Sequence, residues 1–369
     1  MIISSSSEDN FPKARFGPSY LSVTMEKFFK WPTSGIHCEP LKGDASDRSY
    51  FRVLQKNIEE VDRNKAKKGI QSIVIMQLEN PILNIEIDFI QILKFLRRLD
   101  LPTPELFYYD VPQGLLFLED CGAMTLESQL ISFPQDKTVL YRQAIELLVH
   151  MQSKATYSVD STCPAYHRKF DVDKLMWEFN FMLDRYVDDF CGSPLDSLAK
   201  KELSEAFSPL CESIAKEKLY FTHRDYHSRN LMFDRGRLVL IDFQDARMGP
   251  CHYDLVSLLK DSYVKLDDTL VEELIDFYVS LKEQEEGQKV DRQRFDLIFE
   301  KMSIQRNLKA VGTFAYQSVK KNNNQYEDFI APTLGYVWKS LSRQFKDTSM
   351  QKVLLKHIPG LDRKEELGL

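Results

Sequence analysis

The chain has 369 residues, more than one hydrophobic core usually fills, so two lobes or domains are expected. Hydrophobic residues make up 43% and charged residues 28%, which excludes a chain disordered over most of its length. The net charge of −6 excludes a broad nucleic-acid footprint, though not a small basic site for phosphates.

The N-terminal MIISSSSEDNFPKARF has no basic start followed by a long apolar core, so it is not read as a secretory signal. No apolar run approaches the roughly 20 residues that span a bilayer. The six cysteines form no C-x-x-C pair and no metal spacing with histidine, the pattern of reduced thiols. A cytoplasmic protein without membrane or nucleic-acid partners is expected.

In chain order, residues 1–19 read as a polar tail. YLSVTMEKFFK has helical spacing and stops at Trp31-Pro32. CEPLKGDASDRSYFRVLQ and QSIVIMQL are β-rich runs around a charged connection, residues 56–70, which reads as a solvated hairpin loop. NIEIDFIQILKFLRRL is apolar at helical period and ends before Leu101-Pro102. ELFYYD and GLLFLED are two further strands, so residues 36–120 read β-β-β-α-β-β. Beyond Met124 the pattern is helical, at 137–155, 171–190, 195–217, 253–264, 267–284, 291–316 and 324–345, interrupted only by a hairpin near 231–241. The expectation is an α+β chain with a small β-rich N-lobe at 20–120, containing one main helix, and a larger helical C-lobe at 121–369.

The chemistry concentrates in HRDYHSRN. Asp225 and Asn230 stand five residues apart, and Asp242 follows twelve residues after Asn230. The stretch between reads strand, turn at Asp234-Arg235-Gly236, strand. Asn230 and Asp242 lie about equally far from that turn, so folding the hairpin brings them together. One amide oxygen and one carboxylate make a hard-oxygen pair suited to Mg²⁺, which keeps waters and takes substrate phosphates. Asp225 is a separate carboxylate able to receive a hydroxyl proton. That division of labour suits phosphoryl transfer from ATP to an alcohol. Further on, Gly249-Pro250 reads as a turn and Asp254 as an N-terminal charge or cap of the next helix.

HRDYHSRNLM together with IDFQDARMGPCHYDLVSLL resembles the aminoglycoside phosphotransferase-like kinases, and most of all the bacterial anomeric kinases of N-acetylmuramate and N-acetylglucosamine used in cell-wall sugar recycling. GDASDRSYFRV, LLFLED and MSIQRNLKAVGTFAYQS extend the resemblance over about residues 40–340. It implies a two-lobed, protein-kinase-like fold using ATP and Mg²⁺ on a small-molecule sugar. In that reading Asp225 is the catalytic base, and Asn230 and Asp242 hold the metal. Ser46 and Arg48 lie near the phosphates, and backbone at Glu119 and Cys121 meets adenine. The resemblance departs from the wider kinase pattern in two ways. The phosphate loop has only Gly43, and QSIVIMQLEN lacks the strand-three lysine, for which Arg48 or Arg52 is a candidate substitute.

Other residues carry two readings. His223 is more simply a loop histidine bonded to backbone. His227 touches the sugar or is structural. Asp245 binds substrate, sits beside the metal, or caps a loop. Arg306 and Lys309 read either as a salt-bridged helix face or as acceptor recognition. Rival acceptors are aminoglycosides, choline or another alcohol, and a non-catalytic nucleotide-binding scaffold is the rival of a different class. The sequence sets no oligomeric state.

Overall fold

The computed structural model describes residues 14–41, 48–56, 71–82 and 86–362. The expected tail and charged connection lie largely outside the described residues. The chain divides into two compact units, residues 1–87 with 103–122, and residues 88–102 with 123–369.

In the first unit, helix α1 (Pro18–Phe29) starts with proline at its first turn and ends on Lys30 in the left-handed conformation. Strands β1 (Ile36–Leu41), β2 (Ser49–Gln55) and β3 (Ser72–Gln77) follow. The helix α2 (Asp88–Arg98) comes before β4 (Leu106–Asp110) and β5 (Leu115–Glu119). The sheet runs β1-β2-β3-β5-β4, antiparallel at every described pair. Alternation sorts its faces. Phe51, Val53, Ile73, Ile75, Leu115 and Phe117 point to one side and bury Leu21, Met25 and Phe29 of α1. Tyr50 and Arg52 take the opposite face, as their spacing predicts.

Helix α2, expected in the N-lobe, belongs to the second unit. Its apolar face supplies the reason. Phe89 stacks on Phe243 at 5.0 Å between ring centres, and Phe95 lies 5.6 Å from Phe221. Phe221 stands two residues before HRDYHSRN, and Phe243 directly follows Asp242.

The rest of the second unit is α3 (Leu126–Ser132), α4 (Lys137–Ser158), α5 (Val172–Met182) running into a π-helical stretch at Leu183–Phe190, α6 (Ser197–Ala215), and strands β6 (Leu219–Thr222), β7 (Leu231–Asp234), β8 (Arg237–Leu240) and β9 (Arg247–Pro250). Helices α7 (His252–Leu259), α8 (Asp268–Glu286), α9 (Arg292–Lys321), α10 (Ile330–Gln344) and α11 (Ser349–His357) complete it. Asp side chains cap α5, α6, α8 and α9 by accepting N–H groups of their first turns. The centre is the 30-residue α9, packed between α5, α7 and α10.

The expected hairpin is β7–β8, with Leu231 opposite Leu240. A second ladder was not expected: β6 pairs with β9, Thr222 opposite Arg247. Gly249-Pro250 is therefore strand rather than turn. A Cβ on Gly249 would stand 2.5 Å from the ring of Phe170, so the close approach of that ring requires glycine.

Candidate active site

The two ladders are nested. The outer pair β6–β9 closes residues 223–246 into a loop, and the inner hairpin β7–β8 divides it into segments 223–230 and 241–246. Both segments leave strands already held together, so they face each other. His223 Nε2 donates to the carbonyl of Ile241 at 2.9 Å, and Ile241 N–H donates to the carbonyl of Asn230 at 3.2 Å.

Other elements hold the loop from below. The Asp254 carboxylate accepts the backbone N–H groups of His223 (2.7 Å) and Arg224 (2.9 Å). It fixes the loop and does not cap its own helix, though it stands in the first turn of α7 as the expected N-terminal acidic residue. Burial foremost raises the Asp254 pKa, against the lowering effect of those two N–H groups, to about 7. Asp261 accepts from Ser228 N–H at 2.9 Å, and the Tyr226 hydroxyl donates to Ala144 of α4 at 2.7 Å. Held this way, Arg224 and Asp242 adopt left-handed φ values of 79° and 62°, conformations that cost a side-chain-bearing residue of order 1 kcal/mol.

The structure brings Asp225, Asn230 and Asp242 together. Asn230 Nδ2 donates to the Asp225 carbonyl at 3.0 Å and lies 3.5 Å from Asp242 Oδ2. Gln244 Nε2 donates to Asp242 Oδ1 at 2.8 Å and orients that carboxylate. The donors are one amide oxygen and one carboxylate, both hard. That set fits a small divalent cation completing its shell with water and phosphate, and not a cage of several protein ligands.

Asp225 keeps 22% of its side chain exposed, enough for an acceptor to reach it. Lys309 Nζ of α9 stands 3.4 Å from Asp225 Oδ1, and Arg224 Nη1 stands 3.8 Å from Oδ2. Burial alone would raise the Asp225 pKa. Lys309, Arg224, His227 and His223 outweigh it and hold the carboxyl well below the usual carboxylate range.

His223 is architecture: it is fully buried, bonded to backbone, and lowered by burial to a pKa of about 4. His227 accepts from Asn230 Nδ2 at 3.3 Å through Nε2, and burial holds it neutral near pKa 3. Asp245 is 47% exposed and pairs with Arg224 at 3.2 Å. Arg306 lies on the same helix, three residues before Lys309. It is buried against α7, its Nε donating to Ser257 at 3.0 Å. Lys309 is the member of that pair with its charged end at Asp225.

The remaining expected residues belong to the first unit. Arg52 makes a bidentate pair with Asp120, at 2.8 and 3.0 Å, and donates to Gly122 O at 2.8 Å. Arg48 is half-buried just before β2. Glu119 ends β5 with its N–H on Glu105 O at 2.8 Å, and Cys121 is buried beside it. Ser46 lies outside the described residues.

Residues 37–288 match the phosphotransferase enzyme family, abbreviated APH. The chain belongs to that family. Among curated relatives, a protein named N-acetylmuramate/N-acetylglucosamine kinase from Neisseria meningitidis is 29% identical over 72% of this chain and 78% of its own. One of the same name from Pseudomonas aeruginosa is 28% identical over 75% of each. Among solved structures, the Plasmodium vivax ethanolamine kinase superposes with a TM-score of 0.58 over 87% of this chain and 88% of its own, at 11% identity. The fold is that of the two-lobed, kinase-like phosphotransferases, as the motif resemblance implied. This phosphotransferase is a kinase that acts on a hydroxyl acceptor.

Sequence reasoning missed three partners of the 223–230 loop. Glu178 on α5 is 1% exposed and faces Arg224 at 3.9 Å, Asp261 holds Ser228, and Asp254 holds the loop's N–H groups. For Glu178 and Asp254 the one available signal was an acidic residue among the apolar residues of a helix, and Asp261 follows α7 outside any helix.

Proposed function

We propose that this phosphotransferase moves the γ-phosphoryl group of ATP to the anomeric hydroxyl of an N-acetylated amino sugar, N-acetylmuramate or N-acetylglucosamine, in cytoplasmic recycling of cell-wall sugars. The observation that carries the reading is the convergence of Asp225, Asn230 and Asp242 on one nested loop. Asp225 accepts a hydrogen bond from the acceptor hydroxyl, aligns its oxygen and takes its proton. An anomeric hydroxyl is more acidic than other sugar hydroxyls, so one ionised carboxylate suffices. Asn230 and Asp242 hold Mg²⁺, which when bound supplies positive charge to the nucleotide phosphates. Arg48, Glu119 and Cys121 remain the candidates for nucleotide contact. Arg52, held by Asp120, is better placed to stiffen the strand end than to meet phosphate.

The names of the curated relatives support the amino-sugar acceptor. So does Lys309, which places one N–H-rich ammonium beside Asp225, a donor for the hydroxyl or carboxylate oxygens of such a sugar. Trp177, 55% exposed on α5, and Tyr316 on α9 offer aromatic surface to an acetamido methyl or a sugar face.

An ADP-release screen over N-acetylmuramate, N-acetylglucosamine, their methyl glycosides, other hexoses, choline and aminoglycosides tests this. Turnover is expected with the free sugars and not with the methyl glycosides, whose anomeric oxygen is blocked. Equal turnover of the methyl glycosides would remove the anomeric assignment. Turnover confined to choline or aminoglycosides would remove the sugar.

A further inference from the structure

We propose that Lys309 is a catalytic cation that turns from Asp225 to the transferring phosphoryl group as Asp225 takes up the acceptor proton. The inference rests on the base assignment above.

Lys309 reaches the site from α9, 84 residues along the chain from Asp225, and its side chain is 15% exposed. Among the described residues, Asp225 is the one hydrogen-bond partner of its ammonium and the one carboxylate within ion-pair distance. An ammonium has three N–H donors, so two remain for a ligand. Arg224 differs. Its guanidinium is shared among Asp225 (3.8 Å), Asp245 (3.2 Å) and Glu178 (3.9 Å), so its charge stays balanced when Asp225 is neutralised.

That asymmetry has a consequence for the reaction. The acceptor O–H bond breaks and its proton passes to an Asp225 oxygen. The acceptor oxygen forms a bond to phosphorus while the bond from phosphorus to the nucleoside diphosphate breaks, its electron pair leaving on the diphosphate. Lys309 stays protonated throughout. It loses its counter-ion at the moment when a transferring phosphoryl group carries charge beside Asp225. A buried cation without a partner is costly, so the phosphoryl oxygens replace the carboxylate. An interaction that strengthens only as transfer proceeds lowers the barrier and leaves ground-state binding alone.

The test uses the full chain and whichever acceptor the wild type phosphorylates, so it is separate from the acceptor's identity. Lys309→Met is expected to lower kcat by about 100-fold with acceptor and ATP KM nearly unchanged. Lys309→Arg is expected to recover part of the loss. In an Asp225→Asn background, Lys309→Met should lower the residual rate by roughly a further tenfold, because the lysine contacts the phosphoryl group directly. No further loss in that background would make Lys309 merely a positioning residue for Asp225 and overturn the proposal. A loss confined to the acceptor KM would also overturn it. A second measurement covers a Lys309→Met chain that fails to fold. Calorimetric binding of ADP with aluminium fluoride, which mimics the transferring phosphoryl group, should weaken at least tenfold in Lys309→Gln while ADP alone binds as in the wild type. Equal trapping of the mimic by Lys309→Gln and the wild type would sink the idea.

Discussion

Asp225 is set apart from the other acids of the second unit by its neighbours. Asp254 is buried with two backbone N–H donors and no exposed edge, whereas Asp225 combines partial exposure with two cations. The first arrangement builds a loop, and the second leaves an ionised carboxylate within reach of a ligand, as the proposed base requires. Asp225→Asn should leave nucleotide affinity intact while lowering kcat by on the order of 10²–10⁴. Turnover near the wild-type rate would take Asp225 out of the mechanism. Because its pKa is held low, Asp225 is ionised throughout the neutral range, and the pH–rate profile should show no acid limb from it near neutrality.

At the scale of elements, the site depends on how α9 crosses α5. A Cβ on Gly312 would stand 2.6 Å from the Met182 Cα and 3.2 Å from its N, so the glycine permits the backbones to touch. Lys309 lies just under one turn earlier on the same helix, and Glu178 one turn earlier on its neighbour. Gly312→Ala should therefore lower stability by about 1–3 kcal/mol through overpacking, despite the better helix propensity of alanine. It should also lower kcat by displacing Lys309. A variant as stable and as active as the wild type, by urea unfolding and ADP release, would show that the contact relaxes freely. The elements themselves were largely legible. Ridges at helical period located seven of the C-terminal helices, since amphipathic spacing is a local property. Strands β6 and β9 were not, because four residues each of LYFT and RMGP carry no alternation and their pairs lie 25 to 31 positions apart in the chain. Helix α2 was recognised as a helix, while its unit was decided by Phe221 and Phe243, which only folding places against it.

At the scale of the whole molecule, a buried histidine outside the site ties stability to pH. His252 is 4% exposed, packed 4.2 Å from the ring of Phe295, and burial foremost, with Lys282 and Arg294, lowers its pKa to about 3. The sign follows from linkage. Below pH 6.5 the unfolded chain binds a proton that the folded chain refuses until about pH 3, so stability falls as pH drops through that window, by about 1.4 kcal/mol per unit. His252→Leu should flatten this slope in urea unfolding between pH 7 and pH 5. An unchanged slope would mean that His252 takes up its proton in the folded state.

Sequence alone determined the α+β order of elements, the family, and the meeting of Asn230 with Asp242. Hairpin register is local, and a turn midway between two residues must bring them together. Tertiary structure decided which charges surround them. Lys309, Glu178, Asp254 and Asp261 come from three helical regions, and no spacing rule connects them to HRDYHSRN. Arg306 and Lys309, three residues apart, looked alike in sequence. Packing set the Arg306 guanidinium against Ser257 of α7 and the Lys309 ammonium beside Asp225, because neighbouring elements, and not spacing along α9, supply each partner.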